Sequence, residues 1–138
     1  MKRLFVIVLA LLLAACTPNN VLSLEEGQCF NDEGTLKDKV AQVPVVDCEE
    51  PHDNEIYQVA EVADSEFPGA DAIEEQANSI CTDAFEPFVG TGYDVSDLQA
   101  GWLAPTEESW ADGDRSVVCF AFRIDLEKMT GTVEGSGL

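Results

Sequence analysis

The sequence predicts an α+β domain: a small antiparallel sheet of about four strands, one main helix packed on it, and two disulfides. Three observations carry this. Short valine-rich runs separated by polar turns read as strands, apolar residues switch to helical spacing after Pro68, and four cysteines follow a leader that marks the chain for export.

The leader comes first in the chain. Lys2 and Arg3 precede an uncharged run over residues 4–15 that ends in Leu13-Ala14-Ala15-Cys16, the pattern of a bacterial secretory signal closing in a lipobox. Twelve apolar residues are too few for a membrane-crossing helix, which needs about 20. Residues 1–15 therefore read as a removable signal peptide and Cys16 as the lipidated N-terminus of the mature protein. Two or more acyl chains give stable attachment where one gives only marginal binding. Residues 16–26, which open with Cys16-Thr17-Pro18-Asn19-Asn20, read as a tether, whose stretch from Thr17 to about Glu26 reaches at most about 33 Å. The domain is expected over residues 27–130, with residues 131–138 as a flexible tail carrying Gly131, Gly135 and Gly137.

Signal removal leaves 123 of the 138 residues, enough for one domain with its own core. All 27 acidic residues stay, while Lys2 and Arg3 leave, so the formal net charge moves from −20 to −22. Such a surface repels nucleic acid and anionic lipid head groups, which excludes a nucleic-acid partner and leaves the lipid anchor as the means of membrane attachment. The acidity serves solubility, or else shapes a patch for a basic partner or cations.

Residues 43–48 and 55–62 are valine-rich strand candidates on either side of the polar turn 49–54, and read as a hairpin. From Pro68 onward, Ile73, Ala77, Ile80, Cys81, Ala84, Phe85 and Phe88 share one helical stripe. Pro68 suits a first helical turn, and Glu66, Asp71, Glu74 and Glu75 place negative charge at the positive end of the dipole. Pro87 and Gly90 end the helix between Glu86 and Gly90. Residues 98–104 and 116–123 are the next two strands, joined by the long loop 105–115. Apolar residues on both faces of 116–123 predict a central strand.

Cys29, Cys48, Cys81 and Cys119 are separated by 19, 33 and 38 residues, with His52 as the one histidine. That spacing argues against zinc and for two disulfides. Of three connectivities, Cys29–Cys48 with Cys81–Cys119 is preferred, because it closes a local loop and pins the helix to a strand. Each bridge adds about 3 to 4 kcal/mol on the loop-entropy view.

Gly27-Gln28-Cys29-Phe30, the run Val43-Pro44-Val45-Val46-Asp47-Cys48-Glu49-Glu50-Pro51-His52-Asp53-Asn54-Glu55-Ile56-Tyr57, the helix carrying Cys81, Pro105-Thr106-Glu107-Glu108-Ser109-Trp110 and Gly113-Asp114-Arg115-Ser116-Val117-Val118-Cys119 stand in this order. Together they resemble the septum formation domain of actinobacterial envelope proteins, and Thr130-Gly131-Thr132 through Gly135-Ser136 is similar to that family's close. The resemblance covers nearly all of the mature chain. It implies a link to division septum formation and brings no established reaction, ligand or catalytic residue. Many relatives look anchored by a transmembrane helix, where this chain has a lipobox.

Any Ser-His chemistry must use His52, with Ser109, Ser116 or Thr106 as nucleophile and Asp53 or Asp114 as orienting group, yet no nucleophile-elbow motif supports it. His52 reads instead as a turn residue bonded to backbone. Glu49/Glu50 and Asp112/Asp114 are possible acid–base pairs for glycoside cleavage, although 27 acidic residues produce such pairs by chance. Asp112-Gly113-Asp114 reads as a turn rather than a calcium loop. Trp102 is assigned to the core. Trp110 belongs either to the core or to a partner-binding loop with Asp112, Asp114 and Arg115, where Arg115 pairs with a nearby carboxylate. His52, Trp110, Asp112, Asp114 and Arg115 are thus the candidate binding residues, with no metal or cofactor expected. The expected function is a lipid-anchored, non-catalytic binding domain on the extracytoplasmic face of the cell membrane. It would support envelope or septum assembly by holding an envelope or septal protein or a cell-wall component. The alternative is a small cell-envelope hydrolase using His52 and nearby carboxylates.

Overall fold

The computed structural model describes residues 19–20, 23–32 and 42–138; residues 1–15, Cys16 and the start of the tether lie outside the described residues. In chain order the elements are β1 (Asn19–Asn20), β2 (Cys29–Phe30), β3 (Gln42–Val43), β4 (Val45–Val46), β5 (Asn54–Glu61), α1 (Ala70–Val89), β6 (Leu98–Leu103), α2 (Glu107–Ala111) and β7 (Ser116–Arg123). β4, β2, β5, β7 and β6 form one antiparallel sheet in that order, and β1 pairs separately with β3. The predicted α+β class stands, with five strands rather than about four.

β7 is interior, as its doubly apolar pattern requires. Val117, Cys119 and Ala121 join the core under α1, while Val118 and Phe120 join Leu24, Phe30, Val43 and Ile56 in a second core on the opposite face. There Phe30 and Phe120 meet edge to face with ring centroids 5.3 Å apart. Gly101 of β6 lies flat against Phe120, so a Cβ at that position would fall 2.5 Å from the ring. Phe120 is itself buried and cannot swing away. Gly101→Ala is therefore expected to cost about 2 kcal/mol, read as an earlier urea midpoint at unchanged slope.

The stripe beginning at Ile73 becomes α1, with Ile73, Ala77, Cys81, Phe85 and Val89 buried. Gly90 ends it in the left-handed conformation at φ 87°, donating its N–H to Glu86 O. Pro87 falls inside the last turn and costs one ladder bond there. Both disulfides form as preferred, Cys29–Cys48 and Cys81–Cys119, so the helix is bonded to the interior strand β7. Tyr57 of β5 donates its hydroxyl to Cys81 O at 2.7 Å, and burial pushes its pKa upward, keeping the phenol a donor.

Three expectations are corrected. Residues 43–48 and 55–62 are not a hairpin, because β2 lies between them: Cys29 stands opposite Val46 on one side and Glu55 on the other. A two-residue strand has no periodicity to betray it. The tether does not run free to residue 26, since Leu24 is buried in the second core and Glu26 Oε1 accepts from Val59 N–H at 3.0 Å. The tail is not frayed either. Val133 is buried, Gly135 donates to Phe88 O and Gly137 to Val89 O, so the last residues cap the open C-terminal turn of α1.

Candidate functional site

His52 sits at the end of the sheet beside the Cys29–Cys48 bridge, fully buried. Its backbone exchanges two hydrogen bonds with Met129, and its Nδ1 lies 2.9 Å from Glu50 O. A carbonyl can only accept, so Nδ1 carries the proton, and the buried Nε2 has no hydrogen-bond partner among the described residues. This matches the reading of His52 as a backbone-bonded turn residue. Cys29, His52 and Glu55 bring one possible ligand atom each within 4.8 Å of one another. Cys29 Sγ is bonded to Cys48 and has no thiolate to give. The Glu55 carboxylate is occupied by Thr132 Oγ1–H at 2.5 Å and Val133 N–H at 2.7 Å.

The structure does not assemble the triad considered from the sequence. Asp53 accepts from Lys128 Nζ at 2.7 Å and from Asp32 N–H at 2.9 Å rather than from His52. Ser109 and Thr106 are committed to each other: Thr106 Oγ1 accepts from Ser109 N–H at 3.1 Å, and Ser109 Oγ accepts from Thr106 N–H at 2.9 Å. This capping box starts α2 inside the stretch expected to be loop.

The same element relocates the other candidates. Trp110 is buried in the core under α1, with its ring 5.7 Å from that of Phe67. The Arg115 guanidinium lies over the indole ring, 3.6 Å from its centroid, which explains its place better than ion pairing. The guanidinium donates to the carbonyls of Trp110 and Asp114 at 2.9 and 2.7 Å and, among the described residues, to no carboxylate. Asp114 is nearly buried and accepts from Ser116 N–H at 2.9 Å, and Asp112 is the exposed C-cap of α2. Gly113 follows at φ 97°, so Asp112-Gly113-Asp114 is a turn. Trp110, Asp114 and Arg115 thus brace α2 from beneath.

What α2 helps to frame is an open groove of about 530 Å³ between the first turn of α1 and the end of β6. Phe67, Ile73, Trp102 and Pro105 supply apolar walls, and Glu74 and Glu107 supply charge. Trp102 is half-buried, and its indole N–H donates to Glu74 Oε2 at 2.9 Å, which ties the ring to α1. Trp102, expected in the core, packs against it from the half-buried rim and also lines the groove, while nothing in the sequence pattern marks Phe67 or Glu107. The available signal was an aromatic residue at the end of a strand followed by proline and a capping box.

Against this geometry, a family model described as septum formation matches residues 16–119. The chain belongs to the septum formation family. This agrees with the expectation from the ordered motifs, and all four bridge cysteines and the whole groove fall inside the match. Membership points to a septum-related role, in a family not known for enzymes. No curated protein and no solved structure matches the chain. Among the described residues, no helix of this septum formation protein is long and apolar enough to cross a membrane.

Proposed function

We propose that this septum formation protein is a lipid-anchored, non-catalytic binding domain on the extracytoplasmic face of the cell membrane. It holds a partner of the envelope or septum in the groove between α1 and β6. The observation that carries the reading is the groove itself: a half-exposed tryptophan beside apolar walls, with two carboxylates and, among the described residues, no histidine, cysteine or free hydroxyl positioned for chemistry. Thr106 lines the groove, but its oxygen is spent on the α2 cap. The hydrolase reading needs His52, which is sealed within the protein beyond the reach of a substrate. The lipobox at Cys16 and the two disulfides support the export and anchoring part.

One experiment in intact cells tests both halves. A photocrosslinking residue at Glu107 is expected to capture a discrete envelope partner, while the same residue at Glu134, outside the groove, is not. With Cys16→Ala, the protein is expected to leave the membrane fraction. Equal capture from both positions, or membrane retention without Cys16, would count against the proposal.

A further inference from the structure

We propose that the outer edge of β6 receives an extended, basic segment of a partner protein as an added strand, with one of its side chains entering the groove. This rests on the binding reading above and names the partner's chemistry. Among the described residues β6 pairs with β7 alone, so one side of its backbone faces outward. Ile124 N–H donates to Asp97 O at 3.1 Å, which marks Asp97 and Ile124 as a hydrogen-bonded pair. Antiparallel ladders alternate, so Gln99, Gly101 and Leu103 turn their polar groups toward β7, and Leu98, Ala100 and Trp102 turn theirs away. Leu98 N–H is taken by Ser96 Oγ at 3.0 Å. Ala100 and Trp102 are left as the docking positions.

This edge lacks the devices that usually blunt one: Leu-Gln-Ala-Gly-Trp-Leu contains no proline and no charge. It also runs into the groove, since Trp102 belongs to both. A peptide paired with Ala100 and Trp102 therefore has an alternate side chain directed at the wall made by Trp102, Phe67 and Ile73. Charge selects its kind. Glu66, Asp71, Glu74, Glu75 and Glu107 are exposed around the first turn of α1 and the start of α2, in a chain of formal charge −20. A lysine or arginine stem can lie on the indole with its charged head among these carboxylates. A second copy of the chain would bring the same acidic rim edge to edge, which opposes self-pairing.

Ala100→Pro separates this proposal from a merely acidic surface, because it removes one outward N–H and leaves every bond to β7 in place. The probe is an acetylated octapeptide alternating valine and lysine, titrated against the whole lipidated protein in neutral detergent and followed by tryptophan fluorescence. Its counterpart alternates valine and glutamate. Saturable binding is expected for the lysine peptide alone, weakened about tenfold by Ala100→Pro. Several-fold weakening is expected from Glu74→Gln with Glu107→Gln and from added salt, all at unchanged circular dichroism. Undiminished binding to Ala100→Pro, equal binding of the glutamate peptide, or a wild-type dimer that Ala100→Pro makes monomeric would each overturn strand addition. In cells, the same outcomes combined with continued capture from Glu107 would leave the binding reading standing and remove only the edge.

Discussion

Replacing Cys81 and Cys119 together by alanine is expected to lower stability by about 4 kcal/mol, which for a domain of this size shifts Tm by about 15 °C. The bridge closes 38 residues, against 19 for Cys29–Cys48, and the entropy released to the unfolded chain grows with the logarithm of that length. The same logic gives about 3 kcal/mol for the shorter bridge, so the two should rank in that order. Position adds to the difference. Cys81–Cys119 joins the middle of α1 to the interior strand β7, and the carbonyl of Cys81 accepts from Tyr57, which packs against Phe85 and Phe88. Thermal melts of both double variants check this. A smaller loss from the longer loop would show that the helix is held to the sheet by packing rather than by the bond.

Deleting residues 131–138 is expected to destabilise the protein by at least about 4 kcal/mol, although sequence alone makes this glycine-rich end look dispensable. Val133 leaves the core under α1, and the Glu55 carboxylate, almost fully buried, loses the Thr132 hydroxyl and the Val133 N–H together. A buried charge stripped of its donors costs more than the bonds were worth. Glu55→Gln in the shortened chain should therefore recover about 1 to 2 kcal/mol, because a neutral amide is cheaper to leave unpaired. Denaturation of the full chain, the deletion and the combined variant separates these contributions. A deletion melting within about 2 °C of the full chain would mean that the terminal clasp contributes nothing.

Much of this fold was legible because each legible piece is a local pattern. The stripe through Ile73, Ala77, Cys81 and Phe85 needs only helical spacing, and the apolar faces of residues 116–123 need only alternation and its failure. The cysteine pairing followed from placing one cysteine on that stripe and another on that strand. β2 was not legible, since two residues carry no period, and its insertion beside β5 is settled by long-range contacts with Val46 and Glu55. Trp110 was ambiguous for a related reason. A tryptophan in a polar stretch can point either way, and only the edge-to-face contact with Phe67 and the Arg115 guanidinium over the ring decide for burial.

By itself, then, the sequence determined the class of the domain, its main helix, its central strand, its two bridges and its family, because these depend on residue type and on spacing along one segment. The tertiary structure alone decided which residues line the groove and which hold the domain together. It sealed His52 and Trp110 inside, turned the glycine-rich end into a cap for α1, and opened a groove at Trp102 instead. A groove and a strand edge are made from segments distant in the chain, so their chemistry comes into being only when packing brings Phe67, Glu74, Trp102 and Glu107 to one place.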